Sequence, residues 1–326
     1  MPVRTYLEAI TDALREEMRR NPDVFIMGED IYAYGGSYAV TSNLADEFGP
    51  ERIRDTPIAE GAIAGVATGA AMAGLRPVAE IMTINFALLA LDAIINHAAK
   101  VHYMFGARIK APVIIRTAGG AGAQLGATHA QNFEVYFAHV PGLKVVTPAT
   151  PADAKGLLLA AFRQDDPVIF IENTGLYRTK GEVPDGDVIV PFGSADVKRE
   201  GKDVTLICYS RQFLTAMQAA EQLSEMGIEA EVVDLRSLRP WDAETVINSV
   251  KKTNRGLIIE EDWQSYGIGA EIAATVTREA FDWLDGPIER LGLVEAPMPY
   301  ARDLERAAMP SPDKVITRLR EMGVVR

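Results

Sequence analysis

The stretch Glu60-Gly-Ala-Ile-Ala-Gly65-Val-Ala-Thr-Gly69 opens a helical pattern that runs to about residue 74, and the apolar strand Val78-Ala-Glu-Ile-Met82 follows it. The same helix-and-strand order recurs on both sides of this pair. Apolar runs that do not alternate with polar residues are typical of strands covered on both faces. The sequence therefore predicts an α/β fold with mostly parallel sheets and helices on both faces.

Amphipathic helices and short apolar strands alternate along nearly the whole chain. In the first series the predicted helices lie at about 7–20, 61–74, 86–104 and 152–163, and the strands at 24–27, 78–82, 113–116, 143–146 and 168–172. The second series has strands near 204–209, 230–234, 256–260 and 288–293, and helices near 213–226, 242–252, 268–283 and 312–322. Between them, residues 179–193 are rich in Gly, Pro and Asp and show no periodicity. We therefore expect two domains, 1–186 and 194–326, joined by this linker.

Composition excludes several classes of function. The 326 residues include 33 Lys and Arg against 45 Asp and Glu, a formal net charge of −12. Such a surface disfavours nucleic acid and anionic membranes. Cys208 is the single cysteine, which excludes an intrachain disulfide, and its strand-like surroundings predict a buried thiol. No signal region or membrane span is evident, so we expect a cytoplasmic protein.

The glycines of the opening stretch are unusual for a helix. Gly61, Gly65 and Gly69 are four residues apart on one face, although a glycine inside a helix costs roughly 1 kcal/mol relative to alanine. A smooth stripe of this kind lets another backbone approach closely, either in helix packing or across a subunit interface. Glu60 precedes the stripe, as an N-cap or as a carboxylate that exchanges protons with a bound heterocycle.

The pattern Glu60-x4-Gly65-Val66-x2-Gly69 resembles the pyrimidine-side signature of thiamine-diphosphate enzymes. The resemblance extends from about residue 4 to the C-terminus and is closest to the β subunits of the decarboxylating component of 2-oxo-acid dehydrogenases. The similar segments, in order, are Met27-Gly-Glu-Asp30, Asp55-Thr-Pro-Ile58, Met82-Thr-Ile-Asn-Phe86, Phe137 to Val146, Asp153 to Leu158 and Asp234 to Asp242. The resemblance implies a thiamin-diphosphate-binding fold followed by a transketolase C-terminal-like α/β domain.

The resemblance also implies roles for individual residues. Glu60 would bond N1′ of the aminopyrimidine of thiamine diphosphate and so favour the tautomer that generates the reactive carbanion. Glu29, Ile58, Met82 and Phe86 would line the pocket of this ring. From the residues alone, Met82 and Phe86 are equally compatible with a place in the core.

A second candidate, His129, ends the glycine-rich segment Gly119-Gly-Ala-Gly-Ala-Gln-Leu-Gly126-Ala-Thr-His129. A titratable imidazole after tightly turned backbone is typical of an active-site loop. The glycine spacing misses the dinucleotide fingerprint by one residue. The family resemblance implies that His129 is catalytic, acting near the substrate carbonyl and the acyl acceptor. The family's usual serine after this histidine is replaced by Ala130.

The chain has no Gly-Asp-Gly motif with a following Asn, which in thiamine enzymes holds Mg²⁺ and the diphosphate. We therefore expect an α subunit to supply that half of the site, in an α2β2 heterotetramer. The resemblance further implies docking to a dihydrolipoyl acyltransferase core through the acidic C-terminal domain, with Asp285 and Glu289 as candidates. It also implies a K⁺ ion held by backbone carbonyls, at the positions Val113, Ala161, Phe162, Gln164 and Asp166.

Two segments of the sequence bear on the choice of substrate. Met82-Thr-Ile-Asn-Phe86 and Ala296-Pro-Met-Pro-Tyr300 favour a pyruvate-type enzyme. Acetoin-cleaving and branched-chain 2-oxo-acid relatives remain alternatives. A transketolase-like enzyme is disfavoured because it needs the diphosphate motif in the same chain. A subunit with only an assembly role is the non-enzymatic alternative.

Overall fold

The computed structural model describes residues 1–186 and 188–325; Asp187 of the predicted linker and the C-terminal Arg326 lie outside this range. The chain forms two compact units. Unit 1 contains Met1–Gly119 and Tyr136–Phe192, and unit 2 contains Gly120–Val135 and the chain from Gly193 onward. The glycine-rich segment thus belongs, from Gly120 onward, to unit 2.

The elements up to residue 182, in chain order, are β1 (Val3–Thr5), α1 (Tyr6–Arg20), β2 (Val24–Gly28), α2 (Leu44–Phe48), β3 (Ile53–Asp55), α3 (Glu60–Met72), β4 (Arg76–Ile81), α4 (Ala99–Met104), β5 (Ile114–Gly119), α5 (Glu134–Ala138), β6 (Lys144–Val146), α6 (Pro151–Ala161), β7 (Val168–Asn173) and β8 (Lys180–Glu182).

Unit 1 is built on a parallel sheet whose strands follow the order β6-β7-β5-β4-β2-β3. In addition, β1 pairs antiparallel with β8. The carboxyl ends of parallel strands lie at one edge of a sheet, and ligands of α/β proteins bind outside that edge. Glu29 directly follows β2 and Met82 directly follows β4, so both are at this edge.

Local sequence signals explain where the helices begin and end. Thr5 and Glu8 form a reciprocal capping box at the start of α1, which ends at Arg20, before the predicted stop. Thr150 caps α6, where Pro151 occupies the first turn. The single helix predicted over 86–104 is wrong: a 3₁₀ turn (Phe86–Ala90), a π-helical stretch (Asp92–Ala98) and α4 succeed one another.

Unit 2 contains β9 (Asp196–Arg199), β10 (Val204–Cys208), α7 (Gln212–Glu225), β11 (Ala230–Asp234), β12 (Ser237–Arg239), α8 (Ala243–Thr253), β13 (Gly256–Trp263), α9 (Ile268–Ala280), β14 (Glu289–Leu293), α10 (Arg302–Ala308) and α11 (Pro312–Glu321). Its sheet has the order β14-β13-β10-β11-β9, and only β9 runs antiparallel to its neighbour.

The core of unit 2 forms where α7 and α11 pack against β10 and β13. Cys208 lies in this core and is fully buried, as its strand context predicts. Burial raises the pKa of its thiol well above the usual value, so the cysteine is a core residue and not a nucleophile.

Candidate active site

Two carboxylates come together at the carboxyl edge of the sheet in unit 1. Glu29 is 6% exposed and Glu60 is 4% exposed. Burial raises the pKa of Glu29, and the negative charges of Glu60, Asp30 and Glu80 raise it further. The predicted pair therefore lies in one electrostatic neighbourhood, and Glu29 binds its proton more tightly than an exposed glutamate does.

Glu60 is the first residue of α3, and the preceding Ala59 occupies the N-cap position. The N-cap interpretation of Glu60 is therefore wrong. A carboxylate in the first turn is stabilised by the positive end of the helix dipole.

The glycine stripe of α3 has two different environments. A Cβ on Gly61 would lie 3.1 Å from the carbonyl oxygen of Leu89, so this glycine permits close packing on the 3₁₀ turn. Apart from the neighbouring residues and backbone of α3 itself, no described atom lies within 4 Å of where a Cβ on Gly65 or Gly69 would stand. Val66, between them, is 59% exposed. The outer part of the stripe is thus open on this chain.

The residues expected to line a pyrimidine pocket differ in exposure. Met82 and Phe86 are half-buried, and their loop is fixed to the sheet because the N–H of Ile84 donates to the carbonyl of Ala118 (2.8 Å). Ile58 is 81% exposed. Met82 and Phe86 therefore stand at the sheet edge with apolar surface still accessible, and Ile58 does so to a greater degree.

A buried ionic network beneath this edge was not identified from the sequence. Arg116 on β5 pairs with Glu80, its register partner on β4, and with Glu172 on β7, which also accepts a hydrogen bond from the hydroxyl of Tyr177 (2.7 Å). Burial alone would lower the pKa of Arg116, but the two carboxylates hold it above its usual value. Charged residues inside three apolar strands were the signal that could have revealed this network.

The glycine-rich segment is anchored within unit 2. Ala121 and Ala130 pack in an apolar cluster with Met298 and Met309. The methyl group of Ala130 is apolar, like the rest of this cluster. An alanine is therefore compatible with this position, where the family usually has a serine. His129, next to it, is exposed, and its Nδ1 lies 2.9 Å from the hydroxyl of Thr128. The imidazole is thus presented at the surface of unit 2.

Buried acidic residues surround the base of this segment. Glu134, Glu260, Glu261 and Asp262 are each less than 5% exposed. Burial raises the pKa of Glu260 and of Asp262 to about 7 in each case. Burial and the charge of Asp262 raise the pKa of Glu134 well above its usual range. Glu134, Glu260 and Asp262 therefore bind their protons more tightly than exposed carboxyls do.

The other three histidines, His97, His102 and His139, are all exposed. His97 lies 3.8 Å from Asp92, and His102 contacts the carbonyl of Ile109 at 3.0 Å.

The edge of unit 1 fits a hydrogen-bonding heterocycle. Oε1 of Glu29 is buried and has no hydrogen-bond partner among residues 1–186 and 188–325, and such a buried polar atom is costly unless a ligand pairs with it. No cluster of His, Cys, Asp and Glu in the same part of the chain could hold a metal ion. The described residues thus offer a buried hydrogen-bonding group to a heterocyclic ring and no metal-ligand cluster.

Four of the five carbonyls expected to hold K⁺ already accept hydrogen bonds. Arg76 donates to the carbonyls of Phe162 (3.0 Å) and Gln164 (2.9 Å), and backbone N–H groups donate to those of Val113 (2.9 Å) and Ala161 (3.1 Å). Arg76 therefore supplies positive charge at two of the five positions. Asp166, the fifth, lies 3.5 Å from Lys144 through its side chain.

A surface pocket of unit 2, with a volume of about 270 Å³, is lined by charged residues. Asp285 lies 3.4 Å from Arg255, and Glu289 lies 3.0 Å from Arg318. Both carboxylates singled out from the sequence line this pocket, each already paired with an arginine.

The pair of α/β units with this carboxylate edge defines a protein of the transketolase-like class. The family model for the transketolase pyrimidine-binding domain matches residues 3–180, and that for the transketolase C-terminal domain matches residues 193–315. Among solved structures, a split-gene transketolase described as an inactive β4 tetramer is 26% identical, with a TM-score of 0.80 over 98% of this chain and 99% of that one.

Curated relatives define the family more narrowly. The pyruvate dehydrogenase E1 component subunit beta of Rickettsia felis is 48% identical over 98% of both chains. The mitochondrial subunit beta-2 of Oryza sativa is 49% identical over 96% of this chain and 84% of its own length. The chain belongs to the family of pyruvate dehydrogenase E1 β subunits, which implies thiamine diphosphate as cofactor and an α subunit as partner. No helix of the described residues is long and apolar enough to cross a membrane.

Proposed function

We propose that this chain, assembled with an α subunit as α2β2, decarboxylates pyruvate on thiamine diphosphate and reductively acetylates lipoyl groups of an acyltransferase. The observation that supports this most directly is the buried pair Glu29 and Glu60 at the carboxyl edge of a pyrimidine-domain sheet. Thiamine diphosphate supplies a nucleophilic carbon and an electron sink for the decarboxylation.

Glu60 is proposed to hydrogen-bond the ring nitrogen N1′ and to hold or release a proton there. Glu60 is buried in the first turn of α3, close enough to Glu29 for its charge to act there, which supports a role of the pair at one ring. Glu29, whose pKa is raised by burial and by the charge of Glu60, would donate a hydrogen bond from the carboxyl whose Oε1 has no partner in the described chain. Met82 and Phe86 would cover the ring and exclude water.

His129 is proposed to donate a proton to the substrate oxygen or to the acyl acceptor. Its exposure on a segment anchored to a packed core supports this role, because the imidazole is both accessible and fixed. The Thr128 hydroxyl, 2.9 Å from Nδ1, would orient the ring.

The diphosphate and Mg²⁺ are proposed to bind the α subunit, since this chain lacks the Gly-Asp-Gly motif and, in its described part, any metal-ligand cluster. K⁺ binding at the turn around Gln164 is a separate proposal. The free lone pair of each carbonyl would be available, because a backbone carbonyl has two acceptor positions and each hydrogen bond found there uses one. A thermal midpoint that rises in KCl relative to choline chloride would support it, and equal midpoints would contradict it.

Docking of the acyltransferase is proposed at the pocket of Asp285 and Glu289. A basic partner would exchange the internal arginines for its own, so affinity should fall with salt. Titration calorimetry with the acyltransferase's subunit-binding domain tests this: Asp285→Asn with Glu289→Gln should weaken binding. Glu279→Gln, in a pair with Arg278 that does not line the pocket, should not. Unchanged binding by the double variant would refute the location.

The activity is tested with the chain purified alone and with its co-expressed α subunit, using pyruvate, acetoin and 3-methyl-2-oxobutanoate as substrates with thiamine diphosphate and Mg²⁺. We expect turnover only from the assembled pair and fastest with pyruvate. Activity of the chain alone would refute the shared site, and preference for another substrate would replace pyruvate.

Glu60→Gln in the assembled enzyme should abolish turnover without preventing assembly, since the amide cannot exchange the proton. Glu51→Gln is the matched control, because Glu51 is exposed and is paired with Arg54 at the surface. Retained turnover in Glu60→Gln would refute the role of Glu60.

His129→Ala should slow acyl transfer to lipoyl more than decarboxylation, and equal losses would refute that division.

A further inference from the structure

The glycine-rich segment is held by a carboxylate distant in sequence. Glu305, on α10, is 1% exposed. Its Oε1 accepts hydrogen bonds from the N–H groups of Gly122 (2.9 Å) and Gln124 (3.1 Å), and its Oε2 lies 3.2 Å from the same Gln124 nitrogen. Within the described residues, no Lys, Arg or His forms an ion pair with Glu305. The buried carboxylate group therefore takes its hydrogen bonds from backbone N–H groups of this one segment.

The peptide group between Ala121 and Gly122 forms a second hydrogen bond through its carbonyl. Arg211 donates to the carbonyl of Ala121 (2.7 Å), while the N–H of Gly122, on the same peptide group, donates to Glu305. Gly122 has φ +98°, and a Cβ there would stand 2.6 Å from the Arg211 guanidinium. Only glycine suits this backbone, so the hydrogen bonds from Arg211 and to Glu305 hold a conformation that other residues rarely adopt.

Two further hydrogen bonds hold the segment at Ala121 and at Asn132. The N–H of Ala121 donates to Oε1 of Glu261 (2.7 Å), and the side chain of Asn132 donates to the backbone carbonyl of Glu261. These two bonds lie on either side of His129 in the sequence. The segment therefore has fixed ends, and Glu305 holds the turn between its first fixed point and the imidazole.

We infer that Glu305 is a positioning residue for the reaction: its carboxylate fixes the turn at Gly122 and Gln124 and thereby the direction of His129. This inference rests on the catalytic role proposed for His129. A misplacement of about 1 Å at a reacting group costs up to about 100-fold in rate, so we expect loss of this contact to slow the reaction.

Glu305→Gln in the assembled α2β2 enzyme tests the inference. The amide has nearly the same shape but presents an NH₂ group toward backbone donors, so at least one bond is lost. We expect lipoyl acetylation to slow by about 10- to 100-fold with KM for pyruvate nearly unchanged, and amide exchange to accelerate within residues 120–129. Glu305→Asp, which keeps the charge, should recover part of both. If Glu305→Gln does not assemble, the same two readouts on Glu305→Asp decide the question, against the unaltered enzyme.

Glu231→Gln is the matched control, because Glu231 is also a fully buried carboxylate of unit 2, bonded to the N–H of Gly201 (3.2 Å) and, within the described residues, without a hydrogen bond to the glycine-rich segment. It should change neither the acetylation rate nor the exchange in 120–129. Equal effects from both variants would mean that any buried charge matters and would overturn the inference.

The double variant Glu305→Gln with His129→Ala separates the two hypotheses. If Glu305 acts through His129, the double variant is no slower than His129→Ala alone. Additive losses, or unaltered exchange and rate in Glu305→Gln, would overturn the positioning role while leaving the function of His129 standing. Full activity of His129→Ala would instead refute the proposed function of the histidine itself.

Discussion

The negative charge of Glu60 raises the pKa of Glu29, and burial of Glu29 acts in the same direction and more strongly. The folded chain therefore binds a proton at Glu29 more tightly than the unfolded chain does. A carboxyl whose pKa is raised by folding favours the folded state below its unfolded pKa and loses that contribution as the pH rises through the folded value.

Glu29→Gln should therefore stabilise the purified chain at neutral pH relative to the unaltered protein, and the difference should vanish below the ordinary glutamate pKa of 4.5. Thermal midpoints recorded from pH 4 to pH 8 measure this. Glu51→Gln, at an exposed glutamate, should shift the midpoint equally little at all pH values. A Glu29→Gln chain that is less stable at neutral pH would contradict the assignment.

Removal of Arg116 should strongly destabilise unit 1. In Arg116→Met the carboxylates of Glu80 and Glu172 remain buried without their shared cation. Breaking such a pair costs about 3–5 kcal/mol, which urea denaturation followed by fluorescence would measure. Arg54→Met breaks the exposed pair with Glu51 and should change the unfolding free energy by less than about 0.5 kcal/mol. A comparable loss in both variants would contradict the structural role of the network.

Two glycines with the same backbone angle should respond differently to alanine. Gly74 and Gly142 both have φ +101°, but a Cβ on Gly142 would stand 2.1 Å from the carbonyl oxygen of Ala99, whereas nothing lies within 4 Å of one on Gly74. Gly74→Ala should cost only backbone strain, about 1–2 kcal/mol. Gly142→Ala should cost about 1–3 kcal/mol more because of overpacking. Equal losses of unfolding free energy would show that the Gly142 turn relaxes.

Asp262→Asn should make unit 2 less sensitive to alkaline pH. Burial raises the pKa of Asp262 from 3.8 to about 7, so its stabilising contribution is present at acidic pH and is lost as the pH rises through about 7. The asparagine can still accept the hydrogen bond from the N–H of Trp263 (2.8 Å). We expect the variant to be more stable by roughly 1–3 kcal/mol at pH 8 and equal or less stable at pH 4. Denaturant unfolding at the two pH values measures it, and an effect independent of pH would contradict the assignment.

Much of the fold follows from local sequence. The strands around Val78, Val168 and Val204 and the helices around Leu14 and Leu214 were predicted from their apolar spacing, and the structure confirms them. That spacing suffices because each element needs only a matching periodicity and local end signals. The short strand β3, the helix α10 and the π-helical stretch were not predicted, since their sequences carry neither a full period nor a distinctive cap.

The sequence by itself determined the element order, the resemblance centred on Glu60 and His129, and the absence of the diphosphate motif. Only the tertiary structure decided that Glu80, Arg116 and Glu172 meet across three strands, and that Glu305 bonds Gly122 from 183 residues away. Such contacts depend on strand order and register, which pack distant segments together and leave no local periodicity. A buried carboxylate that accepts its hydrogen bonds from backbone N–H groups also has no sequence pattern, because every residue except proline carries that donor.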